Sequence, residues 1–227
     1  EHPRYHDACA GIEETVHLNV YAPVAGEAEL IDIVGDLGGF AFRNLDEPCK
    51  NSFDDREGNR YITCINADIS DADSNLGIVT ARGNWKGKTK GGLVRTRDNF
   101  KTFERISMPF GINAEIDRKL HEIENPNVNA GWVAMSPDGI NIVWSVADGI
   151  RLPVELVIIS NDGGKSFQKA GVFDLKGNPV KKGYLKVFSD RTGNDLFYGF
   201  GGASEIYVSR DGGKTFYQKQ PEETFPI

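Results

Sequence analysis

Two eight-residue stretches share one pattern. SNDGGKSF (160–167) and SRDGGKTF (209–216) both read S-x-D-G-G-K-[S/T]-F, and TRDNFKTF (96–103) is a degraded copy. An apolar, strand-like run precedes each clear copy, VELVIIS and SEIYVS. Asp and two glycines then make a hairpin turn, with glycine supplying the positive φ. The Asp side chain can accept backbone N–H groups across that turn, and the Phe starts the next strand and packs beneath it. The clear copies lie 49 residues apart and the degraded copy 64 residues before the first of them. Each interval fits one four-stranded propeller blade with insertions. The repeat therefore predicts an all-β chain, a β-propeller of which about four to five blades lie in this sequence.

The remaining patterning agrees. GWVAMSPDGINIVWSVA (131–147) reads as strand, Pro-Asp-Gly turn and strand. YLKVFSD and DLFYGFG are strands around RTGN, and NLGIVTARG is a strand that ends in a loop. Twenty-six glycines together with 10% aromatic residues suit short strands and tight turns. AEIDRKLHEIE, near 114–124, is the one plausible helix, short enough to be a loop decoration. No low-complexity linker divides the chain. The repeat itself resembles the Asp-box, or BNR, repeat, whose usual role is structural, so Asp162 and Asp211 are not expected to be catalytic.

A net charge of −7 argues against nucleic acid or anionic lipid as partners. No apolar run approaches the roughly 18 residues of a membrane span. The opening residues, EHPRYHDACAGIEE, lack the apolar core of a signal peptide, so the chain is cytosolic or a signal has been removed. Three cysteines (Cys9, Cys49, Cys64) without a CxxC pair, and four histidines without metal spacing, predict no metal and no cofactor. Cys49 and Cys64 could close a local disulfide loop or remain two buried thiols. SDADSN (70–75) has oxygens of the kind calcium takes but lacks the EF-hand pattern, and reads as a solvated loop.

Chemistry, if the chain performs any, is expected at GDLGGFAF (35–42), directly after the apolar run LIDIV. One carboxylate, Asp36, stands on a glycine-rich bend. It is either a turn Asp capping its own backbone or a catalytic acid placed where a ligand must come close. Leu37 and Phe40 could desolvate it, and Gly38 and Gly39 could leave room for a sugar. Asp32 ranks below it. Glu13 and Glu14 are adjacent, so on a strand they point to opposite faces and cannot act as one dyad. Trp85 stands in a Gly- and Lys-rich loop, where core packing explains it poorly and stacking on a sugar explains it better. Trp132 and Trp144 lie in strands and are expected in the core.

GIEETVHLNVYAP (11–23) followed by LIDIVGDLGGFAFRNLD (30–46) is similar to the opening of the second propeller of glycoside hydrolase family 74, the xyloglucanases and oligoxyloglucan reducing-end-specific cellobiohydrolases. The later order matches too: SPDGINIVWS before the first clear repeat, and VFSDRTGNDLFYGF before the second. The resemblance covers roughly residues 11–217. It implies two seven-bladed propellers facing each other across a cleft that holds a β-1,4-glucan with xylose branches. Hydrolysis would proceed with inversion, by one Asp from each propeller. The general acid carries over to Asp36, and Gly38, Gly39, Phe40 and Trp85 become candidate substrate contacts. The general base belongs to the first propeller and has no counterpart here.

Residues 1–10 then correspond to a linker from a preceding propeller and 11–227 to a partial C-terminal propeller. The missing propeller, in another chain or another part of the same protein, becomes the expected partner. The resemblance also implies secretion, and with it a Cys49–Cys64 bridge. Two other readings stay open: a non-catalytic propeller that binds glycan or protein, and a sialidase-like enzyme, since IRLP (150–153) is similar to the sialidase arginine motif.

Overall fold

In a computed structural model, the described residues are 16–49, 52–56, 60–82, 92–106, 131–146, 156–180, 185–202 and 205–220. The segment 114–124 lies outside them, as do Cys9, Glu13, Glu14, Trp85 and the stretch 150–153. Sixteen strands are formed among them. The first unit is β1 (His17–Tyr21), β2 (Leu30–Val34) and β3 (Gly38–Phe42). The second is β4 (Thr63–Ile69), β5 (Gly77–Arg82), β6 (Gly92–Thr96) and β7 (Glu104–Arg105). The third is β8 (Trp132–Met135), β9 (Ile142–Val146), β10 (Leu156–Ser160) and β11 (Gln168–Lys169). The fourth is β13 (Lys186–Ser189), β14 (Phe197–Phe200), β15 (Ile206–Ser209) and β16 (Thr215–Lys219), with β12 (Gly171–Phe173) along its outer edge.

Within each unit successive strands pair antiparallel, as the short turns between them require. Between units the chain crosses over. β12 leaves the third unit and runs parallel to β16 of the fourth, Val172 against Phe216. The first two units meet through one parallel pair, Gly38 with Thr63. These are the blades of a partial β-propeller, with β1, β4, β8 and β13 as the inner strands. No helix among the described residues is long and apolar enough to cross a membrane.

The core lies between blades. Ile31 and Ile33 of β2 meet Cys64, Val79 and Val94 of the second blade. Ile78 and Leu93 meet Met135, Trp144 and Ile158 of the third. Val143, Val157 and Ile159 meet Val187, Phe197 and Tyr207 of the fourth. A strand packed between two blades thus buries both faces, and β5 is buried throughout, Thr80 and Arg82 included. Trp144 is core, as its strand position predicts. Trp132 is half-buried, its ring 5.7 Å from that of Phe188 with the Lys186 ammonium 4.9 Å above it.

The repeated turns join the third and fourth strands of their blades and share one geometry. Asp162 accepts the Ser160 hydroxyl at 2.7 Å and the Lys165 and Ser166 N–H groups at 2.9 Å. Asp211 accepts the Ser209 hydroxyl at 2.8 Å, the Thr215 N–H at 2.9 Å and the Thr215 hydroxyl at 2.6 Å. Asp98 of the degraded copy does the same with Thr96 and Thr102. There Asn99 and Phe100 adopt φ of 55° and 62°, the conformation Gly163 and Gly164 take at 71° and 83°. The Asp98 turn thus holds that backbone shape without glycine, and burial of Phe100 among Phe53 and Phe103 offsets the strain.

The expected Cys49–Cys64 bridge is not formed, and this corrects the sequence reading. Cys64 is on the core face of β4, fully buried among Ile31, Val79 and Phe103. Cys49 is half-buried on the segment after β3 and donates its thiol to the Ala41 carbonyl at 3.4 Å.

Candidate active site

LIDIV forms β2 and GGFAF forms β3, and Gly35, Asp36 and Leu37 turn between them. Three contacts fix that turn. Gly35 donates its N–H to the Val16 carbonyl at 2.8 Å, Leu37 to the Gly35 carbonyl at 2.8 Å, and Asp36 to the Thr63 hydroxyl at 3.1 Å. Asp36 has φ of 61°, uncommon for a residue with a side chain. The Thr63 bond and the Val16 contact hold it there, and its carboxylate stands exposed at the tip.

The expected desolvation by Leu37 and Phe40 is not what surrounds Asp36. Leu37 is half-buried and Asp36 is open to solvent. Phe40 pairs with Asp32 across the hairpin, 6.3 Å from the Phe42 ring. A cation stands close by instead. Arg82 ends β5 directly opposite Thr63, and its side chain is mostly buried. Burial lowers the proton affinity of its guanidinium, and the Asp36 charge works in the opposite direction.

Gly38 and Gly39 have packing reasons of their own. Both are buried. A Cβ on Gly38, at φ of 81°, would stand 2.6 Å from the Tyr61 carbonyl oxygen. A Cβ on Gly39 would stand 2.7 Å from the Phe53 ring and 2.8 Å from the Asp32 carbonyl oxygen. The space read from sequence as room for a sugar is filled by Tyr61 and Phe53.

Asp32 is buried within β2, and the His17 Nδ1 meets its two oxygens at 2.9 and 2.8 Å. Strand pairing alone brings the two together, since His17 opposes Val34 in register and shares a face with Asp32. His17, Thr63 and Arg82 carried no motif in the sequence. What could have found them is the register of β1 on β2 and of β4 on β5, with alternation placing each on a face.

The opposite ends of the inner strands hold a cavity of about 270 Å³, lined by Tyr21, Asn66, Asp68, Phe188 and Arg191. Here SDADSN is a loop whose acids are engaged. Asp71 takes Arg191, and Asp73 takes the Asn75 N–H at 3.0 Å. Burial raises the proton affinity of Asp68, and Arg191 offsets this in part. No group of three or more potential metal ligands occurs among the described residues.

No protein-family model matches the chain. A xyloglucanase from a Paenibacillus species is 27% identical over 210 residues, 92% of this chain and 17% of that protein. The crystal structure of the GH74 xyloglucanase from Xanthomonas campestris superposes with a TM-score of 0.66 at 19% identity, over 93% of this chain and 27% of that one. The GH74 enzyme of Niastella koreensis superposes with a TM-score of 0.62 at 16% identity, over 90% of this chain and 24% of that one. The chain spans less than a third of the length of each. In sequence the chain is similar to a xyloglucanase, and in fold to the propellers of glycoside hydrolase family 74 enzymes, over part of their length.

Proposed function

We propose that the chain is the general-acid half of an inverting glycoside hydrolase that cleaves the β-1,4-glucan backbone of xyloglucan. It would correspond to the start of the second of two propellers. The observation that carries this is Asp36. By the resemblance it would take the place of the general acid, and it stands exposed at a blade end on a turn held out of ordinary backbone geometry. Asp36 would protonate the glycosidic oxygen as the bond breaks. A carboxylate on the facing propeller, roughly 6.5–9.5 Å away, would draw a proton from the attacking water. The repeated D-G-G-K turns, of Asp-box type, would be scaffold, their carboxylates being consumed by local hydrogen bonds.

The same reading makes a secreted protein and supplies the partner. The outer face of the fourth blade carries Phe188, Phe200 and Tyr217, 42%, 39% and 46% exposed. At the other end β1 exposes Leu18 and Val20. Equivalent faces inside the arc are fully buried, as at Ile78 and Val143. Further blades are the occupant we assign to both. The function is tested by incubating the protein that carries this chain with xyloglucan, unbranched cellulose and sialyl-lactose, following product anomers by NMR. Inverted products from xyloglucan alone are expected. Retained products, or none from xyloglucan, would refute the proposal.

A further inference from the structure

The residue after the Asp of each repeated turn is a joint between blades. Asn99, Gly163 and Gly212 hold this place in the second, third and fourth blades, and all three are left-handed, with φ of 55°, 71° and 70°. Each donates its N–H within its own blade, to the carbonyl of Asn75, Ile140 or Asp195 at 3.2, 2.9 and 3.0 Å, in the connection between first and second strands. Each accepts on its carbonyl a side-chain N–H from the blade before. Arg43 Nη2 reaches Asn99 at 2.7 Å, Arg95 Nη1 reaches Gly163 at 3.1 Å, and Asn161 Nδ2 reaches Gly212 at 2.9 Å. The donors share an address too. Arg43 directly follows β3, Asn161 directly follows β10, and Arg95 is the penultimate residue of β6, so each stands at the C-terminal end of its blade's third strand. With the N–H spent inside the blade, the carbonyl is left to the neighbour, and a buried carbonyl needs a donor.

Each seam between the four blades carries one such contact. On the open side of the fourth blade, Arg210 directly follows β15, in the place Asn161 holds after β10. It is exposed, and its guanidinium donates to no group among the described residues. The same place in the second blade is Arg97, which turns to Glu104 at 3.6 Å and leaves the seam to Arg95, two residues earlier. In the fourth blade that earlier place is Val208, which has no side-chain donor. Phe188, Phe200 and Tyr217 stand exposed on the blade's open face.

We infer that Arg210 is the docking donor of the fourth blade, and that its partner is the backbone carbonyl of a left-handed turn residue in a following blade. This rests on the reading that further blades continue the arc. It narrows what the next one carries: a tight turn between its third and fourth strands, of the kind built at Asp98, Asp162 and Asp211. A second copy of this chain does not fit, because residues 43–49, after β3 of its first blade, include none with positive φ. A guanidinium bound to a carbonyl in a closed seam is a charge-assisted bond, so its loss costs more than that of an exposed arginine.

The test compares the 227-residue chain with the protein that carries it. In the chain, Asn161→Ala should lower Tm by a few degrees, since its seam is filled. Arg210→Met should leave the chain's Tm unchanged, since its seam is open. In the protein that carries the chain, Arg210→Met should lower Tm by a similar few degrees, and Arg210→Lys should recover part of the loss, one N–H being enough for one carbonyl. Hydroxyl-radical labelling of Tyr217 at low concentration reports on the face itself, and should fall severalfold from the chain to the protein that carries it. Tyr217 shielded there while Arg210→Met is silent would leave the following blade in place and overturn the role of Arg210. Tyr217 labelled equally in both would remove the following blade, and the role of Arg210 with it. A lowered Tm for Arg210→Met in the chain alone would place its partner within these 227 residues and overturn the inference too.

Discussion

Arg191 and Asp71 are 120 residues apart in sequence, and a two-pronged ion pair joins them, Nε to Oδ2 at 3.1 Å and Nη2 to Oδ1 at 2.7 Å. The pair runs from the fourth blade to the second, past the third. Arg191 also meets Asp68 at 3.2 Å and the Met135 carbonyl at 3.3 Å, so one side chain ties three blades near their inner strands. Arg191→Met should cost about 2–3 kcal/mol in urea unfolding with an unchanged m-value, because the buried Asp68 loses its cation. Its sign with pH follows from Asp68. Burial raises that carboxyl, so its ionised form is a burden on the fold that lifts as it protonates. The deficit of the variant should therefore be larger at pH 7 than at pH 5. Equal deficits would show that Arg191 acts by packing alone.

The carboxylates of the repeated turns work the other way. The Ser166 hydroxyl and its fellow donors hold Asp162 down at about 2. Partial burial pushes Asp98 and Asp211 up, but the Thr102 and Thr215 hydroxyls and N–H groups outweigh it and leave both below the usual range. A group lowered on folding stabilises above its unfolded value, near 4, and loses that contribution as pH falls through its folded value. Thermal stability should therefore decline from about pH 4 toward pH 2. Asp211→Ala should lower Tm at pH 7 and flatten this decline, and an undiminished slope would remove Asp211 from it.

The repeat made the strand units and their turns legible in sequence, because D-G-G-K with a following Phe dictates one local geometry wherever it occurs. Asp36 was legible for a similar reason, as a lone carboxylate on a bend after a strand. The setting of Asp36 was not. Thr63 and Arg82 come from the next blade, and no local pattern announces a residue whose role is fixed by register across a seam. The packing of Gly38 and Gly39 was hidden for the same cause: Phe53 and Tyr61, which fill the space beside them, lie more than a dozen residues further on.

That packing makes Gly39→Ala informative. The new methyl would have to displace the Phe53 ring and the Asp32 carbonyl oxygen. A loss of about 1–3 kcal/mol is expected, read from the denaturation midpoint of the chain. Were Gly39 instead there to admit a ligand, Gly39→Ala would leave stability unchanged and weaken xyloglucan binding.

Exposed aromatic faces on a partial propeller should make themselves felt in solution. The chain by itself is expected to associate as its concentration rises, through the Phe200 and Tyr217 face of the fourth blade. Light scattering on Phe200→Lys/Tyr217→Lys should show a smaller mean mass than wild type at equal concentration, with Tm little changed. Monomeric wild-type protein at all concentrations would mean that this face needs no partner.

Asp36→Asn keeps the shape of the side chain and removes the proton it can give. The Asp36 N–H bond to Thr63 is a backbone contact and survives the change. In the protein that carries this chain, kcat on xyloglucan should fall by about 10²–10⁴-fold, the usual worth of general acid catalysis, with substrate still bound. An aryl glycoside with a good leaving group needs less protonation, so its rate should fall much less. This divergence separates a lost proton donor from a damaged fold, which would slow both substrates alike. Wild-type kcat on xyloglucan in Asp36→Asn would leave Asp36 as a turn residue and no more.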